Sequence, residues 1–113
     1  MVTRWVGLQS RKLIEYRHLL THTSGFAYDV MIPDLTQYRL SKGQPVGRRG
    51  LTRAERLDMP LIFEPGSSWA YGAGIDYAGV VVSRLTGLSL EEYMQKNIWD
   101  VVDANNITFH FGE

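Results

Sequence analysis

Residues 75–99 read IDYAGVVVSRLTGLSLEEYMQKNIW, and this stretch decides the fold class. Apolar side chains recur in its first half with the spacing of one helix face, at Ile75, Ala78, Val82 and Leu85. Gly87 is typical of the residue that ends a helix, and Ser89 and Glu92 have the spacing of a capping box. We therefore predict one helix over 75–86 and a second from Ser89 through Trp99.

The segment before these helices has the composition of extended chain interrupted by a turn. Residues 60–65 are bounded by prolines, and residues 64–66 read Glu-Pro-Gly, which suits a turn with the fixed φ of proline followed by a glycine at positive φ. We expect residues 67–71, Ser-Ser-Trp-Ala-Tyr, to continue in extended form.

The N-terminal half predicts shorter helices. One covers about residues 14–23, with an apolar side and Gly25 as its left-handed cap, and another covers 34–41 after Pro33. The first apolar side consists of Leu13, Ile14, Leu19 and Leu20, and the second of Leu35, Tyr38 and Leu40. A Gly-, Pro- and Arg-containing loop at 42–50 follows, and Thr52 and Glu55 have capping-box spacing.

The C-terminal residues 106–111 alternate apolar Ile107, Phe109 and Phe111 with Thr108 and His110, which predicts a strand that needs a partner. Together these patterns indicate a mainly helical fold with short extended segments and a C-terminal strand. We expect residues 1–113 to form a single domain.

Composition excludes several classes of site. The chain has 113 residues, 44% of them hydrophobic, 12 Lys and Arg against 12 Asp and Glu, and no cysteine. Disulfide scaffolds, thiol nucleophiles and cysteine-ligated metals are therefore ruled out. No apolar run approaches the roughly 20 residues of a membrane helix, and Arg4 and Gly7 interrupt any secretion signal at the start. We expect no membrane partner, no targeting segment in this sequence and a cytoplasmic location.

The charge is unevenly distributed: residues 1–56 carry ten Lys and Arg with four Asp and Glu, and residues 57–113 carry two and eight. An arginine cluster at Arg48, Arg49, Arg53 and Arg56 could contact nucleic acid or phosphate. No interleaved aromatic residues or nucleic-acid motif accompany it, so we expect complementary faces of one fold and no nucleic-acid partner.

Three segments resemble the serine β-lactamase and penicillin-binding-protein-like family, in matching order and spacing. They are RHLLTHTSGF at 17–26, LIFEPGSSWAY at 61–71 and TGLSLEEY at 86–93. Residues 71–79 resemble the class C-like esterase and transesterase branch in particular. The resemblance implies a serine hydrolase of ester or amide bonds, in which a helical part and an α/β sheet enclose a groove.

This chain is similar to the helical part only. No Ser or Thr has Lys three residues later, so the nucleophilic Ser-x-x-Lys of the family is absent from the sequence, as is the sheet portion. Activity of the chain by itself is therefore not expected. The alternative is a non-catalytic helical domain, with a binding or structural role, derived from the same family.

By resemblance, Tyr71 matches the tyrosine of the family motif Tyr-x-Asn and is the predicted catalytic residue. Trp69, Gly72 and Ala73 are the predicted substrate-binding residues of the groove wall. A free phenol has a pKa of about 10, so acting as a base requires a neighbouring cation, which the family's lysine would supply. Ala73 stands where the motif has Asn. We therefore expect a small-molecule ester or acyl substrate and not a penicillin.

Other candidates have weaker support. His18 and His22 lie four residues apart and could share a metal on one helix face, but Leu19 occupies the position where a zincin has Glu. Ser24 lacks the glycine two residues earlier that a nucleophile elbow needs, so we interpret it as a helix-end residue. His110 superficially begins a His-x-Gly motif, and we expect it to be exposed while Phe109 and Phe111 are in the core. We expect no metal and no cofactor. We do expect the chain to self-associate through an uncovered apolar face.

Overall fold

A computed structural model describes residues 12–47, 50–52, 55–56 and 58–110. The chain divides into two compact units, Met1–Tyr77 and Ala78–Glu113. In chain order the helices are α1 (Tyr16–Leu20), α2 (Pro33–Ser41), α3 (Gly74–Thr86) and α4 (Leu90–Met94), and a π-helical turn, Gln95–Trp99, continues α4. The described ranges contain no strand, and the mainly helical class is confirmed.

Helix α1 is shorter than predicted and does not end at Gly25. Its C-cap is Thr21, and His22 follows at φ 57°, so histidine occupies the left-handed position that we assigned to glycine. The N–H of Thr23 closes the helix end by donating to the His18 carbonyl over 3.0 Å. Gly25 also has a positive φ of 94°, and a side chain there would overlap the carbonyl oxygen of Phe63.

Helix α2 begins at Pro33, whose fixed φ suits the first helical position. Leu35 is buried and Tyr38 is half-buried, as predicted, but Leu40 is exposed. Arg39 is buried instead, because its guanidinium meets acceptors that local periodicity does not reveal. The inward assignment of Leu40 was therefore wrong.

A buried ion pair joins Arg39 to Asp29, with their side chains only 2% and 9% exposed. Nε of Arg39 donates to Oδ2 of Asp29 over 3.1 Å, and its other nitrogens donate to the Gln44 side chain and to the carbonyls of Glu55 and Arg56. Asp29 also accepts from the N–H of Gly47 over 3.1 Å. The pair thus ties the loop after α2 and the segment around residue 55 to α2 itself.

The predicted capping box at Thr52 is confirmed, since its N–H and Oγ1 both donate to Glu55 Oε2 over 2.8 Å. Residues 42–47 form turns and bends without regular structure. Of the arginine cluster, Arg48, Arg49 and Arg53 lie outside the described residues. Nε of Arg56 donates to the carbonyl of Leu51 over 3.0 Å, which is a structural contact.

Backbone hydrogen bonds join residues 22–28 to the extended segment. The N–H groups of Ile62 and Gly66 donate to the carbonyls of Gly25 and Thr23 over 2.9 and 2.8 Å. The predicted turn at 64–66 is present, with Gly66 at φ 82° and the Ser67 N–H donating to the Glu64 carbonyl over 3.0 Å. These bonds fix the chain direction that leads into residues 67–71.

The last two helices are the elements that local patterns specify best. Helix α3 buries Ala78, half-buries Val82 and ends at Gly87, as predicted, although Ile75 and Leu85 are exposed. Ser89 caps α4: its Oγ accepts from the Glu92 N–H over 3.1 Å, and its own N–H donates to Glu92 Oε2 over 2.7 Å. Both helices are confirmed.

The predicted C-terminal strand is not formed in residues 106–110, and Phe111 lies outside the described residues. Thr108 Oγ1 donates to Glu91 Oε1 over 2.6 Å and accepts from the His110 N–H over 3.0 Å, so side-chain hydrogen bonds hold this segment in place of a strand ladder. Strand pairing needs a second strand, and the described residues provide none. Phe109 is exposed, contrary to the prediction, although its ring contacts Trp99 edge-on at 5.7 Å.

No helix within the described ranges has the length and apolar character required to cross a bilayer.

Candidate functional site

Tyr71 lies three residues before α3 begins. Its carbonyl accepts from the Tyr28 N–H over 3.4 Å, which fixes the backbone. Its ring lies 5.0 Å from the His22 ring and 5.3 Å from the Tyr28 ring, centroid to centroid. The residue remains 50% exposed, so its phenol can meet a ligand while its ring is supported.

Trp69 also contacts His22. Its ring meets His22 edge-on, with centroids 6.1 Å apart and planes at 76°. The N–H of Ala70 donates to the His22 carbonyl over 3.0 Å, so a backbone hydrogen bond and a ring contact both join His22 to residues 69–70. Trp69 is 62% exposed and presents a large apolar surface next to Tyr71.

Gly72 and Ala73 are buried, unlike the two aromatic residues. A side chain on Gly72 would overlap the carbonyl oxygen of Phe26 and the Cα of Ala27, so only glycine permits this close approach. Gly72 therefore fixes the position of Tyr71 by bringing its backbone against residues 26–27. A substrate contact for Gly72 or Ala73 stays a prediction.

The structure adds two residues that our sequence analysis did not assign to this site. Tyr28 contacts Tyr71 edge-on, and its Oη donates to Oδ2 of Asp76 over 3.2 Å. His22 contacts both predicted aromatic residues. We use the name aromatic cluster for Tyr71, Trp69, Tyr28 and His22. Its members come from segments about 45 residues apart, and no local spacing predicts their contact.

A second tyrosine, Tyr77, is distinguished from Tyr71 by its surroundings. It stacks on Phe26 with centroids 4.1 Å apart and planes 10° from parallel. Burial raises the pKa of Tyr77, and the negative charge of Asp58 adds to this effect. Tyr77 is therefore held as a neutral phenol and is a poor candidate for a base.

The two histidines of the metal alternative do not share a helix face. His18 lies in α1 and its Nδ1 accepts from the Glu15 N–H over 3.1 Å, whereas His22 lies beyond the helix end. The described residues contain no cluster of three or more metal-ligating side chains. Ser24 is buried three residues beyond the C-cap of α1, not at the helix end as predicted, and its Oγ accepts from the Phe26 N–H over 3.4 Å.

One predicted residue and one lysine lie away from the residues around Tyr71. His110 is exposed, as predicted, and its Nε2 lies 3.2 Å from Oε2 of Glu91. The amine of Lys42 lies 4.7 Å from the centre of the Tyr38 ring on α2. Tyr38 raises the pKa of that amine, first by a side-chain hydrogen bond and then by its charge.

Comparison with known proteins identifies the family. The family model named Beta-lactamase matches residues 2–113. ML-236A carboxylate methylbutanoyltransferase of Penicillium citrinum is 43% identical over 97 residues, covering 86% of this chain and 23% of that protein. Esterase EstB of Burkholderia gladioli is 37% identical over 101 residues, covering 79% of this chain and 26% of that protein.

A solved structure gives the same result. Unliganded simvastatin synthase from Aspergillus terreus superimposes with a TM-score of 0.75 at 38% identity, covering 91% of this chain and 25% of that one. The chain thus spans about a quarter of the length of the relatives that it matches. Because the family model matches nearly the whole length of this chain, the chain belongs to the beta-lactamase family.

Proposed function

We propose that this chain is part of a serine acyl-hydrolase or acyltransferase, in which Tyr71 is the general acid and base on one wall of the active-site groove. The relatives described above include a methylbutanoyltransferase and an esterase. The observation that carries the proposal is the setting of Tyr71: its ring is supported by two neighbouring rings while half of the residue stays exposed.

In the proposed reaction, a serine hydroxyl from residues outside this sequence attacks the carbonyl carbon of an ester. Tyr71, as the phenolate, accepts the hydroxyl proton while the new C–O bond forms. It returns that proton to the alkoxide as the original ester bond breaks, which leaves the acyl group on serine. Water or an acceptor alcohol then releases the acyl group through the same proton transfers in reverse.

The substrate that we propose is a small-molecule ester or acyl compound. Ala73 provides a buried methyl group where the family motif has Asn, so this position offers no side-chain amide to a penicillin-type substrate. The exposed ring of Trp69 offers an apolar surface that suits an acyl chain. In isolation, the chain is proposed to be inactive because its sequence lacks Ser-x-x-Lys.

A chimera tests the role of Tyr71. Residues of this chain replace the matching segment of the Penicillium citrinum methylbutanoyltransferase, and Tyr71→Phe is introduced into the product. The substitution keeps the ring but removes proton transfer, so we expect kcat/KM for an ester to fall by about 10²- to 10⁴-fold with little change in melting temperature.

The matched control is Tyr16→Phe, because Tyr16 is 44% exposed, close to the exposure of Tyr71, but lies on α1. This variant should keep full activity. Near-normal turnover of Tyr71→Phe in an active chimera would contradict the proposal. So would a folded chimera that is inactive with Tyr71 intact.

A further inference from the structure

His22 has a backbone conformation that few residues other than glycine adopt. Its φ of 57° lies in the left-handed region, directly after the C-cap of α1. Glycine is the common residue at such a position because it has no Cβ to clash with the backbone. A larger residue held there points to a role for its side chain.

The side chain of His22 meets both exposed aromatic residues of the candidate site. Its ring lies 5.0 Å from Tyr71 at 59° and 6.1 Å from Trp69 at 76°. Tilted and edge-on arrangements at these distances are the favourable ones for ring pairs. The carbonyl of His22 also accepts from Ala70, the residue between those two, over 3.0 Å.

One ring nitrogen of His22, Nδ1, is buried without a hydrogen-bond partner among the described residues. His18, by contrast, uses its Nδ1 to bind the N–H of Glu15 and so caps α1. The contacts that His22 does make are those of its ring and of its backbone carbonyl.

We propose that His22 is a positioning residue for Tyr71: its ring fixes the orientation of the Tyr71 phenol. The proposal rests on the proposed catalytic role of Tyr71. The ring contact would limit the rotation of the Tyr71 side chain, so that its oxygen keeps one direction toward the groove. A misplaced reacting group costs rate more than it costs binding.

Two substitutions separate the ring from the backbone. His22→Gly suits the left-handed conformation but removes the ring, and His22→Phe keeps a ring without its nitrogens. In the active chimera, His22→Gly should lower kcat by about 10- to 100-fold with a small change in KM and no loss of melting temperature. His22→Phe should restore kcat to within about threefold of the parent.

The 113-residue chain provides a readout that does not depend on activity. With tyrosine rings isotopically labelled, His22→Gly should shift and sharpen the NMR signals of Tyr71, because the neighbouring ring current and the restriction on rotation are lost. Signals of Tyr16 serve as the control. Should His22→Gly perturb folding, His22→Asn replaces it, because Asn also tolerates the left-handed region.

The outcomes are distinguishable. Unchanged Tyr71 signals in His22→Gly would overturn the proposal. So would a preserved kcat in His22→Gly when Tyr71→Phe lowers kcat, or a His22→Phe variant as slow as His22→Gly. If the Tyr71 signals change while Tyr71→Phe leaves turnover intact, His22 positions Tyr71 but the proposed function fails.

Discussion

Trp69 and Tyr71 lie side by side, but their replacement should have different effects. A buried tryptophan truncated to alanine commonly costs about 3–5 kcal/mol, and Trp69 is 62% exposed. We therefore expect Trp69→Ala to lower the free energy of unfolding by only about 1 kcal/mol while raising KM for an ester in the active chimera. Urea denaturation and initial-rate kinetics measure the two effects. A large stability loss with unchanged KM would mean that Trp69 supports the fold and not the substrate.

Arg39 gives the opposite case, in which one side chain is essential for stability. Arg39→Met removes the charge that compensates buried Asp29 and leaves two carbonyls without their donor. Breaking one partner of a buried pair costs about 3–5 kcal/mol, so we expect a loss of this size in urea denaturation. The control is Lys42→Met, at the exposed C-cap that follows the same helix, which should change the free energy of unfolding much less. Equal effects would show that the buried network adds nothing.

At the level of elements, periodicity and capping motifs predicted the last two helices better than the elements before them. The bounds of α3, the stop at Gly87 and the cap at Ser89 follow from periodicity and capping chemistry within a few residues. The burial of Arg39 depends on carbonyls 16 and 17 residues away, which no local pattern reveals. The strand predicted at 106–111 is not formed in residues 106–110. Alternating apolar and polar residues favour a strand, but a strand forms only where a second strand pairs with it.

The candidate site was predictable only in part for the same reason. Tyr71 and Trp69 were named from a motif, and they lie together in the structure. His22 and Tyr28 join them through backbone bonds between residues 22–28 and 62–71, which bring distant segments into contact. The contact of His22 with Tyr71 could not be predicted, because it depends on a left-handed backbone that cannot be deduced from the sequence.

The cap of α4 predicts a pH dependence. Hydrogen bonds from Ser89, first from its backbone N–H, lower the pKa of Glu92 below its ordinary value. The carboxylate therefore stabilises the folded state above the unfolded pKa of about 4.3, and this contribution disappears as the pH falls through the lower folded pKa. Glu92→Gln removes the titration while keeping the side-chain shape.

We expect the stability difference between the parent chain and Glu92→Gln to be largest near pH 7 and to vanish in acid, as measured by urea denaturation at several pH values. Ser89→Ala should cost about 1 kcal/mol at neutral pH, which is the usual value of a helix cap. A difference between parent and Glu92→Gln that stays constant down to pH 2 would mean that Glu92 does not act through its charge.

For the whole chain, the proposed division of catalytic groups predicts no acyl transfer in isolation. Without the serine of Ser-x-x-Lys, Tyr71 has no nucleophile from which to take a proton. The chain incubated with an activated ester should show neither a burst of product nor a mass increase in intact-mass spectrometry. A stoichiometric acyl adduct, on Ser24 or any other residue, would contradict this prediction.

The exposed apolar side chains of the second unit predict self-association. Val101 and Val102 are 76% and 66% exposed, and Leu85, Ile98 and Ile107 are exposed as well. Folded proteins rarely leave apolar patches above about 300–600 Å² in contact with water, so we expect light scattering to give a mass above that of the monomer that increases with concentration. The double variant Val101→Lys, Val102→Lys should shift the chain toward monomer, whereas Leu13→Lys, in the first unit, should not. If the parent chain is monomeric at every concentration tested, these side chains remain in contact with water and the prediction is wrong.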